Sequence, residues 1–339
     1  KNYKITMKKI LIVGGAGFIG HNLALDLKSK GYNVHVSDGL EVNNLTSIIG
    51  NYDDIPYPDL SKKIIFERLK LLESNGVDLT VQDARDYHAV SKLISNYSPD
   101  VLIHLAAVSH SNRSNKNPFN TFDHSLRTLE NTLDAMKDNV GHYIFFSSSM
   151  VYGNFKQQEV TEEYHCEPLG IYGALKYSAE KIIISYNQVF NTPYTIVRPS
   201  ALYGERCVSR RVGQVFIENA LNSESLKISG TGEEKLDFTY INDLIYGVNL
   251  IIENEKSINN IFNITYGNAR KILELTDILK SYFKDLKVEL KDKDKLNPER
   301  GTLSIKKAKE LLGYNPSWPI DKGYTKYIEW YLDFYKQKI

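Results

Sequence analysis

Lys9-Ile10-Leu11-Ile12-Val13-Gly14-Gly15-Ala16-Gly17-Phe18-Ile19-Gly20 is an apolar run that ends in glycines three residues apart, Gly14, Gly17 and Gly20. The amphipathic segment His21 to Lys30 follows. This spacing predicts a buried strand, a tight turn and a helix. Gly14 permits the turn, Gly17 lets the backbone approach a pyrophosphate, and Gly20 lets helix and strand pack closely. The helix N-terminus then offers free N–H groups and partial positive charge to that pyrophosphate. A second apolar run, Asn33 to Ser37, ends at Asp38, near the ~20-residue offset at which an acid binds a ribose 2′-OH. A carboxylate there repels a 2′-phosphate and favours NAD over NADP. A flavodoxin-like turn that holds no dinucleotide is the competing reading of the glycines alone.

The length of 339 residues allows one large or two modest domains, and an apolar content of 42% suffices for a core. The net charge is +1 with both signs interspersed, so no face suits nucleic acid and no patch suits an anionic membrane. There is no run of 18 apolar residues and no secretory signal, so a soluble, cytoplasmic protein is expected. Cys166 and Cys207 lack metal-ligand spacing and read as idle thiols, with no metal site. Residues 1–7 read as a short polar extension.

Strand and helix patterns alternate through the first two hundred residues. They predict an α/β fold with a parallel sheet covered on both faces. A long connection, Glu41 to Gly76, carries a helical stretch from Leu60 to Ser74, and insertions of this kind often cover a site. Strands are expected at Val77–Val81, before Asp83-Ala84, and at Val101–Ala107, with a helix from Tyr87 to Asn96 between them. Small residues at the end of the second strand leave room for a ligand. His104, inside that run, reads as packed rather than catalytic. A helix is expected from Pro118 to about Lys137, a strand at Tyr143–Phe146, a helix from Tyr172 to about Phe190 and a strand at Tyr194–Val197. Beyond Gly204 come helices near Val212–Asn222 and Thr276–Phe283, short strands at Leu226–Ile228 and Lys287–Leu290, and an aromatic-rich tail from Tyr314. We expect residues 1–204 with 237–270 to form one domain. Residues 205–236 with 271–339 should form a smaller α/β lobe for substrate.

Tyr172 and Lys176 are four residues apart and share a helix face. A phenol, with pKa about 10, is a poor base at neutral pH. An ammonium on the same face, with a cationic nicotinamide nearby, favours the phenolate. The pair can then take or return a proton at a sugar hydroxyl, with Ser148 orienting the same oxygen. Tyr-x-x-x-Lys alone is often a solvated helix edge. Its place after a serine cluster, in a chain with a dinucleotide turn, gives it meaning.

With His104-Leu105-Ala106-Ala107, Ser147-Ser148-Ser149-Met150-Val151-Tyr152-Gly153, Arg198-Pro199, and Asp237-Phe238 with Asp243, the chain resembles a known family from about Lys8 to Trp318. These are the extended short-chain dehydrogenases/reductases of the nucleotide-sugar epimerase/dehydratase type. The resemblance implies a Rossmann-type doubly wound sheet, NAD as cofactor and a nucleotide sugar as substrate. It also implies a homodimer or higher homo-oligomer through the helices at 118–137 and 172–190. By the same resemblance Gly14, Gly17, Phe18, Ile19 and Gly20 hold the pyrophosphate and Asp38 binds the adenosine ribose. Asp83 and Ala84 lie by the adenine. Leu105, Ala106 and Ala107 pass under the dinucleotide, and Pro199 adds to the cofactor site. Tyr172 is then the catalytic base. Lys176 lowers its pKa and binds the nicotinamide ribose. Ser148, three residues before Val151, matches the family's Ser/Thr.

The chain departs from the family on the substrate side. Dehydratases and decarboxylases carry acids where Ser149 and Met150 stand, and neither can protonate a leaving hydroxyl, which argues against 4,6-dehydration. Ala201 and Ser125 each replace an Asn, Leu236 an Arg and Thr302 an acid, while Arg300 matches a late nucleotide-binding arginine. The substrate-side candidates are Ser109, Ser149, Arg210, Arg211, Lys235 and Arg300. Arg210, Arg211 and Lys235 either supply the missing charge or are solvated surface groups. The expected activity is oxidoreduction of a nucleotide sugar at C4 through a 4-keto species, as a 4-epimerase. One alternative is a net 4-dehydrogenase of a GDP-, CDP- or UDP-linked sugar. The other is a non-catalytic dinucleotide sensor, against which the presence of Tyr172, Lys176 and Ser148 speaks. The long insertion is similar in length to that of uronate 4-epimerases.

Overall fold

The computed structural model describes residues 8–49, 55–108, 111–139 and 141–336. Residues 1–7 and Ser109 lie outside them. At the centre is a sheet of seven strands. They are β1 (Lys9–Val13), β2 (Asn33–Asp38), β3 (Asp78–Val81), β4 (Val101–His104), β5 (His142–Phe146), β6 (Tyr194–Arg198) and β7 (Asn260–Asn263). Their spatial order is β3-β2-β1-β4-β5-β6-β7, and every neighbouring pair is parallel. The order reverses between β1 and β4, which pair from Ile10 opposite Val101 to Val13 opposite His104. A crevice opens beyond the strand ends at such a reversal, and ligands bind there. The fold is the expected Rossmann-type doubly wound sheet.

The apolar strands feed two cores because successive side chains point to opposite faces. Ile10 and Ile12 join Val34, Val36, Ile103 and Ile144 on one face. Leu11 and Val13 join Leu102, Tyr143 and Phe145 on the other. Helix α1 (Phe18–Ser29) covers the first face with Leu23, Ala24 and Leu27. It starts before the expected His21 because Gly17 is its N-cap, so residues 18–20 are already its first turn. Gly14 has φ +82, and a Cβ there would lie 2.7 Å from the Ala106 nitrogen. A Cβ at Gly20 would lie 2.4 Å from the Gly15 Cα.

The described part of the insertion after β2 is packed structure rather than a free lid. Its helix α2 (Pro58–Ser74), with proline in the first turn, buries Leu60, Ile64, Ile65 and Leu72 in the core beneath α1. A short helix, Leu45–Ile49, precedes it and has no counterpart in the sequence reading. The expected helix from Pro118 is interrupted. Pro118–Phe122 passes through a π-turn, Asp123–Arg127, into Thr128–Met136. An inserted residue of this kind leaves the apolar spacing readable as one helix.

Past β6, helices Val212–Leu221 and Ile272–Lys280 lie close to the expected positions. The two short strand candidates pair with each other in parallel, Leu226–Ser229 with Val288–Lys291. The aromatic tail is a helix, Ile320–Lys336, with Tyr324, Tyr327, Ile328 and Tyr331 buried on one face. The Tyr324 hydroxyl donates to the Gly213 carbonyl at 2.9 Å and braces the start of the 212–221 helix. One continuous core runs from Ile10 through Phe216 and Leu275 to Tyr331. Among the described residues no helix is long and apolar enough to cross a membrane.

The turn geometry carries a testable consequence. Gly20→Ala should destabilise by about 1–3 kcal/mol through overpacking. Gly39→Ala, whose added Cβ would meet nothing closer than 3.5 Å, should stay within about 0.5 kcal/mol of the parent in urea unfolding.

Candidate active site

A cleft of about 560 Å³ lies at the strand-order reversal. Gly14, Gly17, Phe18, Ile19 and Gly20 line one end. The Gly14 and Gly15 amides donate to the Ser37 carbonyl at 2.8 and 3.3 Å, which pins the turn to the end of β2. Helix α1 has no side-chain cap and no acid in its first turn, so its N–H groups are left to serve an anion. Asp38 follows on the same wall. Its Oδ2 accepts from the Ala16 amide at 2.9 Å and its Oδ1 from the Leu40 amide at 2.7 Å. Each oxygen keeps a lone pair for a diol. Burial raises the Asp38 pKa against those two hydrogen bonds.

Asp83, Ala84, Leu105, Ala106, Ala107 and Pro199 complete that half of the lining. Asn131 Nδ2 holds the Ala84 carbonyl at 3.0 Å, and Thr128 Oγ1 holds that of Ala106 at 3.2 Å. Donors for a pyrophosphate, a carboxylate for a ribose and small residues beneath make a bed that fits an extended dinucleotide.

Helix α3 (Gly170–Phe190) carries Tyr172 and Lys176 into the middle of the cleft. Of three adjacent serines, Ser148 is the one whose hydroxyl favours the Tyr172 phenolate. Ser147 donates instead to Glu180, and Ser149 to Ser200 at 3.3 Å. Burial raises the Tyr172 pKa, while the Arg211 charge and the Ser148 hydrogen bond pull it down. This differs from the sequence reading, which gave that task to Lys176. Lys176 Nζ donates to the Phe146 carbonyl at 2.7 Å and lies 4.8 Å from the centre of the Phe145 ring. Burial lowers the Lys176 pKa to about 8, with Glu180, one turn further on, opposing.

Beneath these residues lies a buried ion pair. Arg198 donates to Glu180 through Nη2 at 2.6 Å and Nε at 2.9 Å, and both side chains are at most 3% exposed. Arg198 Nη1 also reaches the Tyr152 hydroxyl and the Glu162 carbonyl, each at 3.0 Å. His104 is core, as expected. It stacks on Tyr143 and Phe145, its Nδ1 lies 3.1 Å from Thr132 Oγ1, and burial lowers its pKa to about 3.

Ser149, Arg210, Arg211, Lys235 and Arg300 also line the cleft. Ser109 falls outside the described residues. Arg211 and Arg300 face each other's charge, and burial with that repulsion lowers the Arg300 pKa to about 10. Arg211 Nε donates to Ser209 at 3.2 Å, and Arg300 Nε has no partner. Two guanidinium groups held together in this way form an anion site.

Sequence reasoning missed Arg68, which reaches the cleft from the insertion and is 1% exposed. Its Nε donates to the Arg206 carbonyl at 2.8 Å, its Nη2 contacts the same oxygen, and its Nη1 is unpartnered. The clue was present, since Arg68 continues the apolar face of Leu60, Ile64 and Ile65.

Comparison with known proteins agrees with this geometry. The NAD dependent epimerase/dehydratase family matches residues 10–265. The chain belongs to that family. It is 29% identical to an uncharacterised UDP-glucose epimerase of Bacillus subtilis, over 97% of this chain and 99% of that one. It is 28% identical to a dTDP-D-glucose 4,6-dehydratase of Dictyostelium discoideum, over 76% of this chain and 58% of the other. It superposes with a TM-score of 0.86 and 27% identity on the UDP-glucuronic acid 4-epimerase of Bacillus cereus, solved with UDP-glucuronic acid and NAD. That match covers 96% of this chain and all of the other. The cofactor of the family is NAD.

The buried pair gives a second test. Glu180→Ala leaves Arg198 charged and uncompensated, and should cost about 3–5 kcal/mol in chemical unfolding.

Proposed function

We propose that the protein is an NAD-dependent nucleotide-sugar 4-epimerase working through a 4-keto sugar. One observation carries this reading. Ser148, Tyr172 and Lys176 line the same cleft as the uncapped α1 N-terminus, and Arg211 and Arg300 line it too. Bound NAD supplies an acceptor and then a donor for the hydrogen on C4. The protein does the rest. Tyr172 removes the proton from the C4 hydroxyl and, once the keto sugar has turned its other face to the nicotinamide position, returns a proton to the C4 oxygen. Ser148 holds that oxygen, and Lys176 holds the nicotinamide ribose. Arg211 and Arg300 grip the sugar-nucleotide diphosphate, with Arg210, Lys235 and Ser149 around it.

The lining at Ser149 and Met150 offers no carboxyl to expel a hydroxyl, which supports epimerisation over dehydration. The substrates named for the relatives make a UDP-linked sugar the first to assay. In this reading residues 1–204 with 237–270 hold the cofactor, and 205–236 with 271–339 hold the substrate. Phe119, Phe122, Val189 and Phe190 are exposed on the helices where the family pairs subunits, which supports a homodimer.

Incubation with UDP-sugars should give a product of unchanged mass with no net change in cofactor. A product lighter by two hydrogens, with NADH accumulating, would overturn epimerisation in favour of net dehydrogenation. Tyr172→Phe should lose about 10²–10⁴ in kcat while retaining NAD. With the Lys176 pKa near 8, its ammonium is lost as pH rises through that value. kcat/KM should therefore fall above about pH 8, as a steady-state pH profile would show.

A further inference from the structure

We propose that Arg85 is the clasp that holds the adenine end of the cofactor cleft shut and so governs how fast NAD leaves. Three carboxylates from three separate segments converge on its guanidinium. Asp83, after β3, accepts from Arg85 Nε at 2.9 Å through each oxygen, and from Nη2 at 2.6 Å. Glu41, in the loop that follows Asp38, accepts from Nη2 at 3.0 Å. Asp123, the first residue of the π-turn, accepts from Nη1 at 3.0 Å. His124 adds a contact of 3.6 Å between its Nε2 and Glu41.

The placement matters more than the number of contacts. Glu41, Asp83, Ala84 and His124 line the cleft, and Arg85 stands outside that lining. One guanidinium therefore ties together the loop after β2, the loop after β3 and the helix on the far side. The adenine of a dinucleotide whose ribose is on Asp38 lies between the first two. Leaving the site requires these segments to part. The π-turn gives Asp123 its position, since such turns re-aim a helix residue at a functional site.

The clasp is built to open. Arg85 is 25% exposed and its three partners 37–38%. Half-exposed ion pairs are weak one by one and are screened by salt. Four of the five guanidinium N–H groups serve a carboxylate, and the three carboxylates around them repel a 2′-phosphate.

This inference rests on the NAD site proposed above, and displacement of NADH from the full-length protein by excess NAD tests both. Arg85→Ala should release NADH about tenfold faster, as expected for losing three half-exposed contacts. Asp123→Asn, the milder change, should release it about threefold faster. Raising salt from about 0.05 to about 0.5 M should speed release from the parent and leave Arg85→Ala nearly unchanged. A lower melting temperature with an unaltered release rate would mean a merely structural role and would overturn the clasp. Parent protein that binds no NADH would overturn the cofactor site as well, whereas binding with equal release rates in parent and variants would overturn the clasp alone.

Discussion

The chemistry of the cleft depends on the buried pair Arg198–Glu180. Glu180 lies one turn beyond Lys176 on α3, and Arg198 ends β6. Ser147, which also bonds Glu180, ends the run from β5 and precedes the serine that touches the phenol. The ion pair thus fixes the helix carrying Tyr172 and Lys176 against the two strand ends that face it. A pair this deep adds little net stability, because desolvation offsets attraction. Its contribution is geometric. With both partners satisfied, helix and strands have one register, and Tyr172 meets Ser148 rather than a neighbouring hydroxyl.

Burial sets the electrostatics of the rest. It raises the phenol and lowers both Lys176 and Arg300. Both cations still carry their charge at neutral pH, and a bound anion would hold them in that form. Arg211 has a special position here, since it acts on Tyr172 and on Arg300 alike. The insertion contributes to the same unit. Arg68 grips the Arg206 carbonyl just ahead of Arg210 and Arg211. The cofactor side and the substrate side of the cleft are thereby joined through one side chain.

Much of this was legible in the sequence. Glycines at fixed spacing, an acid at the right offset and small residues after an apolar run each follow from a local steric or charge requirement. The cofactor residues named on that basis all line one cleft. The family resemblance picked out Ser148 among three adjacent serines, and its hydroxyl is the one that acts on the phenol's charge. What stayed hidden depends on long-range pairing. Lys176 turns to the Phe146 carbonyl thirty residues away, which a helical wheel cannot show. The π-turn leaves hydrophobic spacing almost unaltered. The tail helix was read only as aromatic, although Tyr324, Tyr327 and Tyr331 keep a three-to-four spacing along one face. Arg85 carries no signal of its own in the sequence, because its partners Glu41 and Asp123 come from distant segments.

The brace from Tyr324 to the Gly213 carbonyl has a consequence for the order in which the protein matures on the ribosome. The glycine turn, six of the seven sheet strands and Ser148 and Tyr172 are all encoded before residue 205. They can assemble while the remainder is still being translated, since N-terminal units fold first during synthesis. The 212–221 helix, which directly follows Arg210 and Arg211, is secured only when the tail helix has emerged and docked. A nascent chain therefore has the glycine turn and Asp38 in place well before the helix behind Arg210 and Arg211 is secured.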